Sequence, residues 1–344
     1  MTIRLIKGAD AIDRVKWQEL LEASRYASPF QTPEYADIIR ASKKYACEEY
    51  AAEADGKLQA VCVVTWQRKK GVKQWFPKRF IYGGPVIRDI TPEALLEFLS
   101  FVEQDLKRSA TNMEIKNYHD YSFCRDVLTR AGWEYHAYQS VEIDLKGRDL
   151  TGVIAGMKSN RRREIGYSEQ EGAGVREITD EQDLRKLHNM LADFFRVKKI
   201  SLPGFDYFCA LLHLNFAKIY GVYHQGRMIG GSVYLIQPGK TIYTLYYCRV
   251  KDCPPRIYPT HLAIKTAIEY GLAHNLETVD MLGVGRDDKL KGIKDYKKQF
   301  GDLVEYGSYF RVMRPGLYYL RKGAVRLLKV IRKGRGSSQE HSDL

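Results

Sequence analysis

Two stretches of this chain follow the same pattern, and this internal repeat restricts the possible folds more than any other feature. Residues 54–67 read ADGKLQAVCVVTWQ and residues 224–237 read HQGRMIGGSVYLIQ. Each begins with a polar turn that contains a glycine, Gly56 or Gly226, and glycine adopts positive φ easily. The apolar run that follows is typical of a β-strand. The sequence therefore predicts a β-hairpin in each of two related units.

The segments around each hairpin also come in the same order. A helical stretch precedes the hairpin, and a strand, a helix and a further strand follow it. Thr91 is the candidate N-cap of one helix, and Thr179 or Asp180 that of another. The predicted helices cover residues 11–25, 91–109, 180–199 and 259–275. The final strands of the two units cover residues 112–118 and 278–284, and the last strand of the chain covers residues 304–313. This order predicts an α/β (α+β) fold, with a mixed twisted sheet flanked by helices in each unit.

The length of 344 residues suits two domains. A polar and basic stretch near residues 145–175 marks the boundary, so we assign 1–150 to an N-terminal domain, 151–315 to a C-terminal domain and 316–344 to a basic helix with a polar tail. The net charge of +13 favours anionic partners, such as nucleic acid, phosphorylated substrates or an acidic membrane face. Part of this charge lies in residues 317–335, which contain seven Lys/Arg and no acid.

Cysteine and histidine spacing argues against a metal site. The six cysteines form no CxxC pair, and the eight histidines form no HxH or HExxH pattern. We therefore expect reduced thiols in a cytoplasmic protein. The N-terminus lacks the apolar region of a signal peptide, and no run approaches the roughly 20 apolar residues of a membrane span.

Several motifs, taken in their order, resemble the FemABX-type aminoacyltransferases and the related BioF2-like acetyltransferases. They are SPFQTPEYADIIR, YGGPVI, MKSNRRREIGYSEQEGAGVREI, VDMLGV and DYKKQFG, and they span about residues 25–312. The resemblance implies two tandem acetyltransferase-like (GNAT-like) domains, a site in the cleft of one or between both, and transfer of an acyl or aminoacyl group to an amine. In the best-known members the donor is an aminoacyl-tRNA, and the acceptor is a peptidoglycan precursor with a nucleotide or lipid diphosphate.

The basic stretch MKSNRRREIGYSEQEG is the first candidate binding motif. On a helix, Lys158, Arg161 and Arg162 would share a face, and Arg163 would point elsewhere. Arginine matches phosphate oxygens in a bidentate way, so the motif could clamp a diphosphate or an RNA backbone. The alternative is a solvated helix end whose arginines pair with glutamates such as Glu164.

The stretch GIKDYKKQFG, residues 292–301, is the second motif. FemABX proteins have a Phe-Lys-x-x-Phe-Gly stretch here, and YKKQFG matches it with Tyr in place of the first Phe. The resemblance implies that Lys297 faces the reacting carbonyl or the acceptor's phosphates, that Phe300 packs inward and that Gly301 lets the next strand turn. Lys294 and Lys298 are weaker candidates for binding the substrate. The alternative is a basic hairpin before the last strand.

VDMLGV places Asp280 at a strand end before a glycine bend. In a GNAT-like sheet such a strand end opens into the cleft, where Asp280 could orient or deprotonate an ammonium nucleophile. Equally, it could cap a turn or pair with a lysine of the next loop.

Acyl transfer also needs a donor for the tetrahedral oxyanion. Lys297 is the candidate for that donor, with Tyr247 as the second choice.

CRVKDCPPRIYPTH, residues 248–261, lies where a CoA-binding GNAT protein has its pyrophosphate loop. That loop is rich in glycine, so its N–H groups can point at phosphates. The stretch here has no glycine and three prolines, and proline lacks the N–H, which counts against a standard acetyl-CoA site. Arg256 and Tyr258 could still contact an anion, or the stretch could be a rigid connection.

Two further candidates lie in the N-terminal unit. YGGPV, residues 82–86, corresponds to a Gly-Pro element of the family, where Gly83 and Gly84 permit close approach of the backbone to a ligand or form a tight turn. Gln31 in FQTPEY is a family-like position. A basic residue after it contacts substrate in some members, and Arg40 is the nearest candidate here.

The resemblance leads us to expect an N-acyltransferase that transfers an aminoacyl or acyl group to an amine of a cell-envelope precursor, such as a peptidoglycan peptide. No permanently bound cofactor is expected, and aminoacyl-tRNA or acyl-CoA would be the co-substrate. The basic, amphipathic stretch 317–335 would allow contact with the inner face of the membrane. Two alternatives are an acyl-CoA- or acyl-carrier-dependent enzyme acting on a sugar, lipid or small amine, and a non-catalytic module that binds RNA or an anionic lipid.

Overall fold

A computed structural model describes residues 3–197, 200–284 and 291–325 of the chain. Its strands form two sheets, with eight and seven strands in this described part. In order of pairing, the first sheet contains β1 (Arg4–Lys7), β2 (Tyr45–Ala54), β3 (Lys57–Gln67), β4 (Lys78–Gly83), β6 (Asn112–Asn117), β15 (Ser308–Val312) and β7 (Glu134–His136), while β5 (Val86–Ile87) pairs with β3. The second sheet contains β14 (Asp302–Glu305), β8 (Gln139–Asp144), β13 (Thr278–Asp280), β12 (Thr241–Arg249), β11 (Arg227–Gln237), β10 (Ala217–His224) and β9 (Gly174–Glu177).

Helices flank both sheets. They are α1 (Arg14–Ala23), α2 (Pro33–Ala41), α3 (Pro92–Leu106), α4 (Arg125–Arg130), α5 (Leu150–Ala155), α6 (Ser159–Gln170), α7 (Glu181–Val197), α8 (Phe205–Leu212), α9 (Pro259–Ala273) and α10 (Lys291–Lys297), with a C-terminal helix that is described over residues 315–325. Predicted caps start two of them. Thr91 Oγ1 accepts the Ala94 N–H at 3.2 Å before α3, and Asp180 Oδ1 accepts the Asp183 N–H at 2.9 Å at the start of α7.

The predicted repeat is confirmed. Hairpin β2–β3 is followed by β4, α3 and β6, and hairpin β10–β11 is followed by β12, α9 and β13. The strands around each connecting helix are parallel. Both turns have positive φ at two consecutive residues: Asp55 (49°) and Gly56 (73°) in one, Gln225 (49°) and Gly226 (78°) in the other. This pattern is typical of a type I′ turn, whose twist matches that of the strands it joins.

The prediction of one last strand over residues 304–313 is wrong, because the structure has two strands there. β14 pairs with β8 in the second sheet, and β15 pairs with β6 and β7 in the first. Gly307 breaks the run with a φ of 71°, at a place where a Cβ atom would lie 2.4 Å from the ring of Tyr135. Since β8 belongs to the second sheet, each sheet receives a strand from the other half of the chain.

Side chains of both sheets share one apolar cluster between them. Its aromatic centre includes Phe30, Tyr118 and Tyr138 from the first half of the chain and Tyr243 from β12. The ring of Phe30 lies 5.1 Å from that of Tyr118 and 5.5 Å from that of Tyr243, both edge-on. This cluster joins the two sheets next to the C-terminal end of β13.

Candidate active site

The candidate site lies at the C-terminal end of β13. This strand runs parallel to β12, with Tyr243 opposite Asp280. The segment Met281–Gly283 follows directly, and Lys297 of α10 contacts it from the other side. Ligands of open sheets bind beyond the carboxyl ends of parallel strands, so the fold places these groups where chemistry is expected.

Lys297 is 6% exposed, and its own chain uses its donors. The Nζ atom donates to the carbonyl oxygens of Met281 at 2.5 Å, Leu282 at 2.9 Å and Gly283 at 3.4 Å. Burial lowers the pKa of Lys297 to about 8, and the nearby charge of Asp280 opposes that shift. Because an ammonium has three N–H donors, Lys297 fixes the segment after β13 in this state and does not face open space.

Asp280 is buried beside this segment, with 1% of its surface exposed. Its Oδ1 atom accepts from the Ser140 hydroxyl and from the Leu282 N–H, the latter at 2.6 Å. Within the described residues, Oδ2 has no hydrogen-bond partner. Burial raises the pKa of Asp280 to about 7, although these hydrogen bonds and Lys297 lower it. The carboxyl group therefore changes its charge near neutral pH.

Tyrosines from both sheets surround the carboxyl group. The rings of Tyr118 and Tyr138 stack on each other with 6.5 Å between their centroids. A Cβ atom at Gly283 would lie 2.0 Å from the Tyr138 hydroxyl oxygen, so glycine is required there. Tyr306 donates to Glu142, and the Lys116 ammonium lies 5.8 Å from the centre of the Tyr138 ring. These phenols provide hydrogen-bonding tips around a mostly apolar site.

A second polar cluster is centred on His261, in the first turn of α9. His261 is 3% exposed, and its ring stacks on Tyr258 at 5.2 Å between centroids. Arg161 Nη1 lies 2.7 Å from Glu164 Oε2 and 3.1 Å from His261 Nε2. Burial, together with Arg161 and Arg249, lowers the pKa of His261 to about 3, so the ring is neutral. The sequence analysis missed His261, although its place in the first turn of a predicted helix was a usable signal.

Arg161 and Arg162, which were predicted to share a helix face with Lys158, have different partners in the structure. Lys158 precedes α6 as its N-cap residue, and Arg161 points to His261. The Arg162 guanidinium instead donates to the carbonyl oxygens of Ala155 at 2.9 Å and Met157 at 2.6 Å, at the end of α5. Adjacent helical residues differ by about 100° in direction, so the two arginines serve different contacts.

The stretch around Lys297 is neither a loop nor a hairpin, because residues Lys291–Lys297 form α10. Lys294 Nζ donates to Gln139 Oε1 at 2.6 Å, while Lys298 is exposed. Phe300 is 2% exposed and packs inward, as the resemblance implies. A Cβ atom at Gly301 would lie 2.1 Å from the Glu142 carbonyl oxygen, so this glycine permits close pairing of β14 with β8.

The remaining predicted residues contact their own chain. Gly83 and Gly84 have φ of 87° and 81°, and a Cβ atom there would meet the side chains of Ser28 and Tyr121. Arg40 pairs with Asp37 and Glu49. Arg256 lies 3.3 Å from Glu171, and its guanidinium stacks on the ring of Tyr167. The Tyr258 ring stacks on that of His261. Tyr247 lies close enough to Tyr296 for the two phenols to interact.

Comparison of the sequence with protein-family models and with curated proteins gives no match. Solved structures do match: FemX superposes with a TM-score of 0.71 over 92% of this chain and 99% of its own, at 15% identity. This chain has the tandem GNAT fold of FemX. The FemX-type fold extends to L-PGS from Bacillus licheniformis, with a TM-score of 0.56, 15% identity, and coverage of 87% of this chain and 92% of that one.

A tandem GNAT protein from the clavulanic acid biosynthesis pathway, solved without AcCoA, shares the FemX-type fold as well. Its TM-score is 0.56 at 11% identity, over 91% of this chain and 99% of that one. At these identities the matches establish the fold, and the chemistry has to be argued from the side chains. Among the described helices, none has the length and apolar character needed to cross a membrane.

Proposed function

We propose that this protein is an N-acyltransferase that transfers an aminoacyl or acyl group to an amine, with Asp280 as the acceptor of the ammonium proton. The observation that carries the proposal is a buried carboxyl group and a buried ammonium group at the end of β13, with pKa values of about 7 and about 8. Both groups can change protonation state near neutral pH, which suits general acid–base catalysis. The FemX-type fold supports the same reaction class, because the FemABX resemblance implies transfer of an acyl or aminoacyl group to an amine.

The reaction needs a neutral amine held about 3 Å from an activated carbonyl carbon. Asp280 takes the proton that the ammonium loses, and its Oδ2 atom is available for this bond because no described group donates to it. Since Asp280 is 1% exposed, the segment Met281–Gly283 has to move for the acceptor to reach it. Lys297 holds that segment. Once it moves, the freed N–H groups of Lys297 can donate to the tetrahedral oxyanion. When the oxyanion collapses, the bond from the acyl carbon to the donor's ester oxygen or thioester sulfur breaks, and the proton that the attacking nitrogen loses goes to that leaving atom.

We further propose an aminoacyl-tRNA donor and a phosphate-bearing cell-envelope acceptor, such as a peptidoglycan peptide. The net charge of +13 supports two anionic substrates. Lys116 and Lys294 place cationic side chains beside Tyr138 and Gln139. Tyrosine rings and basic groups together suit an acceptor that carries both a peptide and phosphates.

A donor test decides between these assignments. The purified protein would be incubated with labelled aminoacyl-tRNA or labelled acyl-CoA, with nucleotide- and lipid-linked peptidoglycan precursors as acceptors. We expect label on the acceptor from aminoacyl-tRNA, and loss of this transfer in Asp280→Asn. Asp89→Asn, which changes an exposed aspartate after β5, is the matched control. Full activity of Asp280→Asn across the pH range would contradict the role of Asp280.

An acyl-CoA donor is the second candidate, and the start of α9 bears on it. Pro259 has no N–H, and the His261 and Leu262 N–H groups donate to the Tyr258 carbonyl oxygen at 2.9 and 3.2 Å, which leaves the Thr260 N–H to meet a pyrophosphate. The similarity to the tandem GNAT protein from the clavulanic acid pathway, solved without AcCoA, supports this candidate. Label transferred from acyl-CoA alone would support this candidate and would assign the CoA site to the loop before α9.

A further inference from the structure

Two segments lie at the end of the first sheet where β4 and β6 begin and β15 ends, at the opposite end of β6 from Tyr118. They are the segment 68–77 and the C-terminal helix, residues 315–325, and we call this surface the basic-apolar edge. Thr111 links the chain next to both: its N–H donates to Pro77 O at 2.7 Å, and its carbonyl oxygen accepts from the Met313 N–H at 3.0 Å, two residues before the helix. The two segments therefore adjoin neighbouring strand ends of one sheet.

Large apolar side chains are exposed on this edge. Val72 is 77% exposed and Trp75 is 67% exposed on the loop, while Tyr319 and Leu320 are 62% and 64% exposed on the helix. An isolated exposed apolar residue is ordinary on a protein surface. Four large ones on two adjoining segments are a patch, and such patches mark interaction sites.

Basic side chains surround the apolar ones. Burial lowers the pKa of Lys78, the charges of Arg321 and Lys69 lower it further and that of Glu114 raises it, so these three groups lie within electrostatic range of Lys78. Lys70 and Lys322 add exposed positive charge on the two segments. Like charges gathered in this way repel one another in the free protein, and an anionic partner relieves the repulsion.

We propose that the basic-apolar edge docks this protein on the surface of an anionic lipid bilayer. Valine, leucine, tryptophan and tyrosine side chains partition into the boundary between headgroups and acyl chains, and lysine and arginine attract the lipid phosphates. An RNA surface would combine basic groups with aromatic rings that stack on bases. Val72 and Leu320 add nothing to such stacking, so the composition favours a bilayer. The inference does not rest on the proposed function.

Vesicle co-sedimentation tests the proposal with the full-length chain. We expect binding to vesicles of phosphatidylcholine and phosphatidylglycerol in equal parts, and little binding to phosphatidylcholine alone. The double change Arg321→Glu with Lys322→Glu should lower the partition coefficient by at least about tenfold. Leu320→Asp should have a comparable effect. The matched controls are Arg227→Glu, at the exposed first residue of β11, and Val15→Asp, at a side chain that is 69% exposed on α1.

Tryptophan fluorescence gives a second readout, because Trp75 is much the most exposed of the four tryptophans. Trp17 and Trp133 are 2% and 1% exposed, and Arg79 covers the half-buried Trp66. Anionic vesicles should shift the emission to shorter wavelength and protect it from an aqueous quencher. Trp75→Phe should retain most of the binding and lose the shift.

Three results would overturn the proposal. The first is no vesicle binding by the folded wild-type chain, and the second is equal binding by the wild type and the edge variants. The third is tRNA binding that the charge reversals abolish and Leu320→Asp leaves unchanged, without any vesicle binding. That last pattern would assign the edge to RNA.

Discussion

Lys297 and Asp280 hold the same short segment from two sides. The Lys297 ammonium donates to the carbonyl oxygens of Met281, Leu282 and Gly283, and Asp280 accepts the Leu282 N–H at 2.6 Å. Leu282 has a φ of 56°, in the left-handed region that residues other than glycine seldom adopt. The charged pair thus stabilises an unusual backbone at the end of β13, and changes at either residue should affect this segment first.

Replacing Lys297 with methionine should separate its catalytic role from its structural one. The variant removes the donor to the carbonyl oxygens of Met281, Leu282 and Gly283, of which the first is buried, so the free energy of unfolding should fall by about 1–3 kcal/mol. Acyl transfer should fall by at least about 100-fold under conditions where the variant is folded, because the oxyanion loses its donor. Denaturant unfolding and single-turnover kinetics measure the two effects. If activity falls only in proportion to the folded fraction, Lys297 is purely structural.

The pH dependence of stability should reveal Asp280. Its folded-state pKa of about 7 exceeds that of an unfolded aspartate, so the native chain binds more protons between about pH 4 and 7. The contribution of Asp280 to the free energy of unfolding is therefore fully present at low pH. It is lost as the pH rises through 7, by an amount on the order of a few kcal/mol. Asp280→Asn should remove this loss. Denaturant unfolding at a series of pH values gives the test, and an unchanged slope in the variant would contradict the raised pKa.

His261 should act in the opposite direction. Burial keeps its pKa at about 3, below that of an unfolded histidine, so the unfolded chain binds more protons between about pH 3 and 6.5. Stability from this group is lost as the pH falls through that window. His261→Gln should reduce this loss of stability at low pH. A smaller loss of stability should remain in the variant, because burial also lowers the pKa of His119, to about 4. His213→Gln makes the same substitution at an exposed histidine and is the matched control.

Gly301 should be essential to the pairing of β14 with the exchanged strand β8. An alanine Cβ atom there would lie 2.1 Å from the Glu142 carbonyl oxygen, so β14 and β8 would have to separate. We expect Gly301→Ala to lower the free energy of unfolding by about 1–3 kcal/mol or more. Gly292→Ala, in open space on α10, is the matched control and should be neutral or stabilising by up to about 1 kcal/mol. Equal stability of the two variants would contradict the close approach.

Local chemistry made much of the fold predictable. Gly56 and Gly226 each follow a residue with positive φ in a hairpin turn, and Thr91 and Asp180 cap helices. Such turns and caps can be predicted from the sequence because these preferences depend on a few neighbouring atoms. For the site, the sequence indicated Asp280 and Lys297 through a family resemblance. It did not indicate that Lys297 would donate to the segment after Asp280, since that contact joins residues about 15 positions apart.

By itself, the sequence determined a duplicated pattern of hairpin, strand, helix and strand, as turn residues and apolar periodicity are read locally. The tertiary structure alone decided the exchange of β8 and β15 between the sheets, the different partners of Arg161 and Arg162, and the burial of His261 against Glu164. Strand partners and buried charges depend on which surfaces meet across the molecule. Burial then sets the pKa values of Asp280, Lys297 and His261, so the properties on which the proposed chemistry depends arise only in the folded chain.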